Sequence, residues 1–143
     1  METAKTHIGF VSDFYTITPV QAVLFSLFIG QGEDKRINTY QITGSIGCTS
    51  IDILSYEKDI DQLISGKLLA RRLDNEDRVY YVPFSVIKSL KANTAKITPE
   101  FKNLEINGLF DIVEKLHYKY DSKKIPFDDF ISELNSLPDN TKN

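Results

Sequence analysis

Residues 59–83, DIDQLISGKLLARRLDNEDRVYYVP, decide the fold. A helical apolar pattern runs into Gly66, the expected left-handed terminator. Two short β-prone runs follow, Leu69-Ala70-Arg71-Arg72-Leu73 and Arg78-Val79-Tyr80-Tyr81-Val82, around the polar turn Asp74-Asn75-Glu76-Asp77, and Pro83 closes the second. A helix that stops at a glycine and leads straight into such a pair predicts a β-hairpin packed on that helix.

Working upstream, Thr49 is a helix N-cap with Asp52 three residues on, favourably placed against the positive end of the helix dipole. Ile53, Tyr56, Ile60, Leu63 and Ile64 keep a helical period, so one helix is expected from Thr49 to Ser65. Before it, Asn38 caps a short helix from Thr39 to Ile46, anchored by Tyr40, Ile42 and Ile46 and ended by Gly47, and Arg36-Ile37 forms a two-residue strand. Further back, Thr18-Pro19-Val20-Gln21 is a capping-box helix start. The helix it opens carries Val20, Val23, Leu24, Leu27 and Phe28 and stops at Gly30-Gln31-Gly32, ahead of an exposed Glu33-Asp34-Lys35 loop. Residues 1–16 read as an N-terminal tail.

Downstream, Phe84 to Leu90 predicts a helix with Phe84, Val86, Ile87 and Leu90 inward, and Ala92 to Lys96 a linker. Thr98-Pro99-Glu100 starts a new helical segment. Leu109, Phe110, Ile112, Val113 and Leu116 mark one helix, and Pro126 starts another with Phe127, Phe130, Ile131 and Leu134, the two pairing as a helical hairpin. The expected fold is α+β, mainly α: a winged helix-turn-helix domain over 17–92, a helical extension over 93–137, and a disordered tail over 138–143.

At these residues the chain also resembles a family. ITPVQAVLFSLFIGQGEDKRINTYQITGSIGCTSIDILSYEKDIDQLISGKLLARR, then YYVPFSVIKSLKAN and a helical pair ending in FISELNSLPDN, looks like the amino-terminal region of bacterial AAA+ ATPases of the Bacteroidetes type. The resemblance implies a winged-helix region and a helical connector ahead of a nucleotide-binding module. The chain departs from that family's ATPase core in having no P-loop. Gly44-Ser45-Ile46-Gly47-Cys48-Thr49 lacks the phosphate-binding lysine and joins two helices, whereas a P-loop follows a strand.

Composition bounds the function. With 143 residues, 41% hydrophobic and 26% charged, the chain has enough apolar content for a core. Its 17 Lys+Arg and 20 Asp+Glu give a net charge of -3, so nucleic-acid binding would need a local basic patch. The expected reading helix is acidic, with Asp52, Glu57, Asp59 and Asp61 against Lys58. From Gly66 to Lys96 the balance reverses, with Lys67, Arg71, Arg72, Arg78, Lys88, Lys91 and Lys96 against Asp74, Glu76 and Asp77. Arg71, Arg72 and Arg78 are therefore candidate phosphate contacts, and Thr49 and Ser50 candidate polar contacts to nucleic acid. The competing reading is a solvated face whose arginines pair with the acidic turn, and a Thr49 occupied as a cap.

No catalytic, metal or cofactor site is expected. His7, in the tail, and His117, near a helix end, have no His or Cys neighbour at metal-binding spacing. Cys48 has no base to activate it and no partner for a disulfide. Asp128 and Asp129 diverge on a helix and suit its first turn. With no signal-like start in METAKTHIGFVSDFY and only Val20 to Ile29 as an apolar run, a cytoplasmic, non-membrane protein is expected. The leading functional expectation is a non-enzymatic accessory or regulatory region of an AAA+-type ATPase, binding a protein partner or an ATPase core in cis. The alternative is a winged helix that binds duplex DNA through its wing arginines.

Overall fold

The computed structural model describes residues 2–31, 36–74, 77–92, 108–120 and 125–137. It is mainly helical with a small antiparallel sheet. The elements are α1 (Glu2–Tyr15), α2 (Pro19–Gly30), β1 (Ile37–Asn38), α3 (Thr39–Ile46), α4 (Ser50–Ile53), a 3-10 turn (Leu54–Tyr56), α5 (Glu57–Ser65), β2 (Ala70–Asp74), β3 (Asp77–Tyr81), α6 (Phe84–Ala92), α7 (Leu109–Tyr120) and α8 (Phe127–Asn135). The expected linker after Ala92, the Thr98-Pro99 helix start, the Glu33-Asp34-Lys35 loop, the centre of the hairpin turn and the tail over 138–143 lie outside the described residues.

Local sequence sets the helix starts. Thr18, Asn38 and Thr49 each accept a hydrogen bond from the backbone N–H three residues on, and Gln21, Gln41 and Asp52 answer to the cap N–H, completing three capping boxes. Gly47 ends α3 at φ 81°, where a side chain would be strained. α2 is apolar around its whole circumference, as befits a helix buried on every side, and Ala22 to Leu27 are all inaccessible to solvent. The sheet order is β1-β3-β2, with Ile37 opposite Tyr80 and Arg71 opposite Tyr80 on its other side.

Four sequence expectations are corrected. Residues 2–15, read as a tail, form α1: Ile8 and Val11 are buried in the same cluster as Leu24, Phe28 and Val113, and α1 packs on α7 and α2. His7 is consequently buried at 2% exposure and is no surface histidine. The expected single helix over 49–65 is interrupted by the 3-10 turn and a non-helical Tyr56 at φ -109°, ψ 4°. A 3-10 turn holds three residues, so it brings Tyr56 onto the same side as Ile53 and lets its ring meet Phe130 edge-on at 6.5 Å. The left-handed residue after α5 is Lys67 at φ 67°, while Gly66 stays at φ -81°. The Leu68 N–H then closes on the Leu63 carbonyl at 3.0 Å, so the terminator is displaced by one residue.

Two supposed anchors face outward: Tyr40 is 78% and Phe84 62% exposed. Tyr40 begins α3 on the side away from Ile42 and Ile46, and Phe84 opens α6 one turn before the buried Ile87. α7 packs chiefly on α2 and α1. It meets α8 through Tyr120, whose ring lies edge-on to Phe130 at 5.7 Å and whose hydroxyl donates to Glu133. At the α2–α7 crossing, a Cβ on Gly30 would lie 1.9 Å from His117 Nδ1, so the absence of a side chain is what lets the imidazole sit there.

Candidate functional site

The hairpin and the helical segment in front of it form the site. Opposed residues of an antiparallel pair point to the same side, so Arg71, Leu73, Arg78 and Tyr80 share one face of the sheet, and Arg72, Val79 and Tyr81 share the other. The first face looks onto α5. There the Arg71 guanidinium donates to Asp61 Oδ1 at 3.0 Å, and Arg78 Nη1 lies 3.6 Å from Glu57 Oε2. Both pairs are exposed and each contributes at most about 1 kcal/mol, but they set two hairpin cations against the carboxylates of α5. Arg71 and Arg78 thus pair with the helix, and the acidic side chains of the hairpin turn lie outside what the structure describes.

Under the same face runs a groove of ≈ 180 Å³ lined by Phe28, Ile42, Ile53, Leu54, Ile60 and Tyr80, with the Glu57–Arg78 pair as its polar component. Phe28 and Tyr80 meet at 5.9 Å between ring centroids and form its floor. Of its lining, Leu54 is 62% exposed on the 3-10 turn, and apolar side chains continue outside the groove with Ile51 on α4, 77% exposed, and Leu73 on β2, 68% exposed.

Of the candidate nucleic-acid contacts, Arg71, Arg72 and Arg78 come together with Leu73 around one hollow of ≈ 290 Å³ at the β2–β3 hairpin. Thr49 does not border it. Its hydroxyl accepts from the Asp52 N–H at 3.2 Å, and Asp52 Oδ2 accepts from the Thr49 N–H at 3.1 Å, so its role is that of a cap. Ser50 opens α4; its side chain lies outside what the structure describes.

Sequence reasoning missed Ile51 and Leu54, although both fall off the face defined by Ile53, Tyr56, Ile60 and Leu63 and were detectable as unassigned apolar residues. It also gave Gln21 only a capping role. The buried Gln21 Nε2 donates to Asp59 Oδ1 at 3.2 Å and to the Gln62 side chain, tying α5 to α2. Burial raises the Asp59 pKa, and the Gln21 hydrogen bond works against that rise.

Burial, and secondarily the Asp52 carboxylate, push the Cys48 thiol up, which disfavours the nucleophilic thiolate. Among the described residues no group of three or more His, Cys, Asp or Glu side chains is placed to hold a metal ion, and no single helix is long and apolar enough to cross a membrane. Compared with known proteins, the chain matches no protein-family model, no curated protein and no solved structure. The AAA+ resemblance therefore stands on the sequence pattern quoted above.

Proposed function

We propose that this chain is a non-enzymatic interaction module of winged-helix type, which docks a protein partner across the groove between α5 and the wing. On the sequence resemblance, that partner is the core of an AAA+-type ATPase, joined in cis or met in trans, and the module regulates it. One observation carries the reading. The segment that would enter a DNA major groove exposes Ile51 and Leu54 together with Glu57 and Asp61. A phosphate-lined groove calls for donors and cations at those positions, whereas a protein interface calls for apolar anchors with a charged rim.

The test is association with the ATPase core, followed by sedimentation velocity. Leu54→Glu and Ile51→Glu replace exposed side chains and leave the fold intact, and they abolish complex formation on this reading. Association that both variants retain, or no association of the unaltered chain in either arrangement, refutes it.

A second reading has its own support: Arg71, Arg72 and Arg78 border one hollow, which is the geometry of a phosphate contact. Duplex DNA would then bind with steep salt dependence and lose affinity in Arg72→Ala. No anisotropy change with a generic duplex at low salt removes this reading.

A further inference from the structure

The second face of the sheet differs in chemistry from the first. Beyond it α6 carries Lys88 and Lys91 and no carboxylate, although the whole chain is acidic. Tyr81 sits on this face and borders a hollow of ≈ 460 Å³ with Arg36, Val82 and Phe84. On the far side of Phe84 a second hollow, of ≈ 380 Å³, is bordered by Ile87, Lys88 and Lys91. Phe84 is thus a ridge between two hollows, 62% exposed, with cationic side chains on both sides. Arg36, Lys88 and Lys91 are all exposed, and the Lys91 ammonium is steadied 5.0 Å above the Phe110 ring.

The geometry points to this face as a binding site for single-stranded nucleic acid, with bases stacked on Phe84 and Tyr81 and the backbone held by Arg36, Lys88 and Lys91. The occupant follows from three features together. An aromatic ring bordered by open space on both sides accepts planar groups that need no hydrogen-bond match, which is how sequence-tolerant single-strand binders work. The hollows are of the size that holds a small planar group. Cations flank the ridge on each side, so a polyanion crossing it meets positive charge before and after the stacked base. A duplex keeps its bases paired and stacked within itself and cannot offer them to Phe84. This site is separate from the α5 groove, because Tyr81 and Tyr80 point to opposite faces of β3, and it shares no bordering residue with the hollow at Arg71, Arg72 and Arg78.

Fluorescence anisotropy of a labelled fifteen-nucleotide oligothymidylate, titrated with the full chain at low and moderate salt, tests the assignment. The expected result is salt-dependent binding that weakens about tenfold in Phe84→Ala, a loss typical of one stacked base. Phe84→Tyr keeps the ring and keeps the affinity. Lys88→Ala lowers the slope of log affinity against log salt by about 0.7. Lys58→Ala, which removes an exposed cation of α5, leaves oligothymidylate binding unchanged, so the loss at Lys88 is not a general charge effect. Circular dichroism and urea midpoints establish that each variant is folded. The assignment is overturned by any of three outcomes: no binding of the oligonucleotide at low salt, affinity indifferent to Phe84→Ala, or equal or tighter binding of a duplex or of polyglutamate. The last would make the face a dock for an acidic protein.

Discussion

Acidification should unlock α1 through His7. This side chain is 2% exposed and its pKa is lowered from 6.5 to about 4, first by burial and then by the Lys115 ammonium on α7. The native state therefore keeps the imidazole neutral, while the unfolded chain takes up a proton once the pH falls below 6.5. Stability from this group is complete above the unfolded value, declines as pH falls, and stops declining below about 4, where both states are protonated. At 1.36 kcal/mol per pH unit the whole interval amounts to about 3 kcal/mol, of which about 2 kcal/mol is lost between pH 7 and pH 5. With a urea m-value of about 2 kcal/mol/M, the midpoint moves by about 1 M. The assay is urea unfolding followed by far-ultraviolet circular dichroism at pH 5, 6 and 7, for the wild type and His7→Phe, which keeps a ring but cannot titrate. The variant should lose most of the slope over this interval, leaving what the carboxylates contribute. Equal slopes in the two proteins would refute the argument, because they would mean that His7 has the same proton affinity in both states.

Three further outcomes follow from local geometry. Gly30→Ala sets a methyl group 1.9 Å from His117 Nδ1, so it destabilises by about 1–3 kcal/mol, and a double-mutant cycle with His117→Ala should recover part of that loss. Lys67→Gly relieves a left-handed backbone at φ 67° and raises stability by about 1 kcal/mol in thermal melts; a lower melting temperature would contradict the strain assigned there. Thr49→Ala removes the cap of α4 and costs about 1 kcal/mol by urea unfolding, and a value near zero would show that the capping box is not used in solution.

What was legible in the sequence is what is decided within a few residues. Thr18, Asn38 and Thr49 announced their helices because a capping box spans three residues, and Gly47 was readable because its neighbours place it at a helix end. The hairpin was readable for the same reason: Leu69 to Val82 alternates around a polar turn. The errors arise where a partner distant in sequence decides. Tyr56 leaves the helical path beside Phe130, which lies far along the chain. α1 carries Ile8, Phe10, Val11, Phe14 and Tyr15 at helical spacing, a pattern open to reading, and the α2 and α7 surfaces it meets are what bury Ile8 and Val11. The site divides in the same way. The excess of basic residues from Gly66 to Lys96 singled out Arg71, Arg72 and Arg78, but the pairing of two of them depends on where α5 lies across the hairpin, which brings Asp61 to Arg71 and Glu57 to Arg78.

The sheet is small, yet its register sorts the surface. β1 contributes only Ile37 and Asn38, and Ile37, buried at 1%, lies opposite Tyr80. Tyr80 in turn packs against Phe28 of α2, so the inward face of β3 is held from both sides. A slip of one residue would turn Tyr81 into the core and expose Tyr80, and it would move Arg78 from the α5 face to the face that carries Phe84 and Lys88. Burial of Ile37, Tyr80 and Phe28 therefore does more than stabilise the hairpin. It keeps Arg71 and Arg78 beside the acidic helix and keeps Tyr81, which adjoins Phe84 of α6, on the opposite side. The two proposed sites then share no bordering residue. On that logic Leu54→Glu and Phe84→Ala act independently, each silent in the other's binding assay. Loss of both activities from either change would mean that the sheet does not separate the two surfaces.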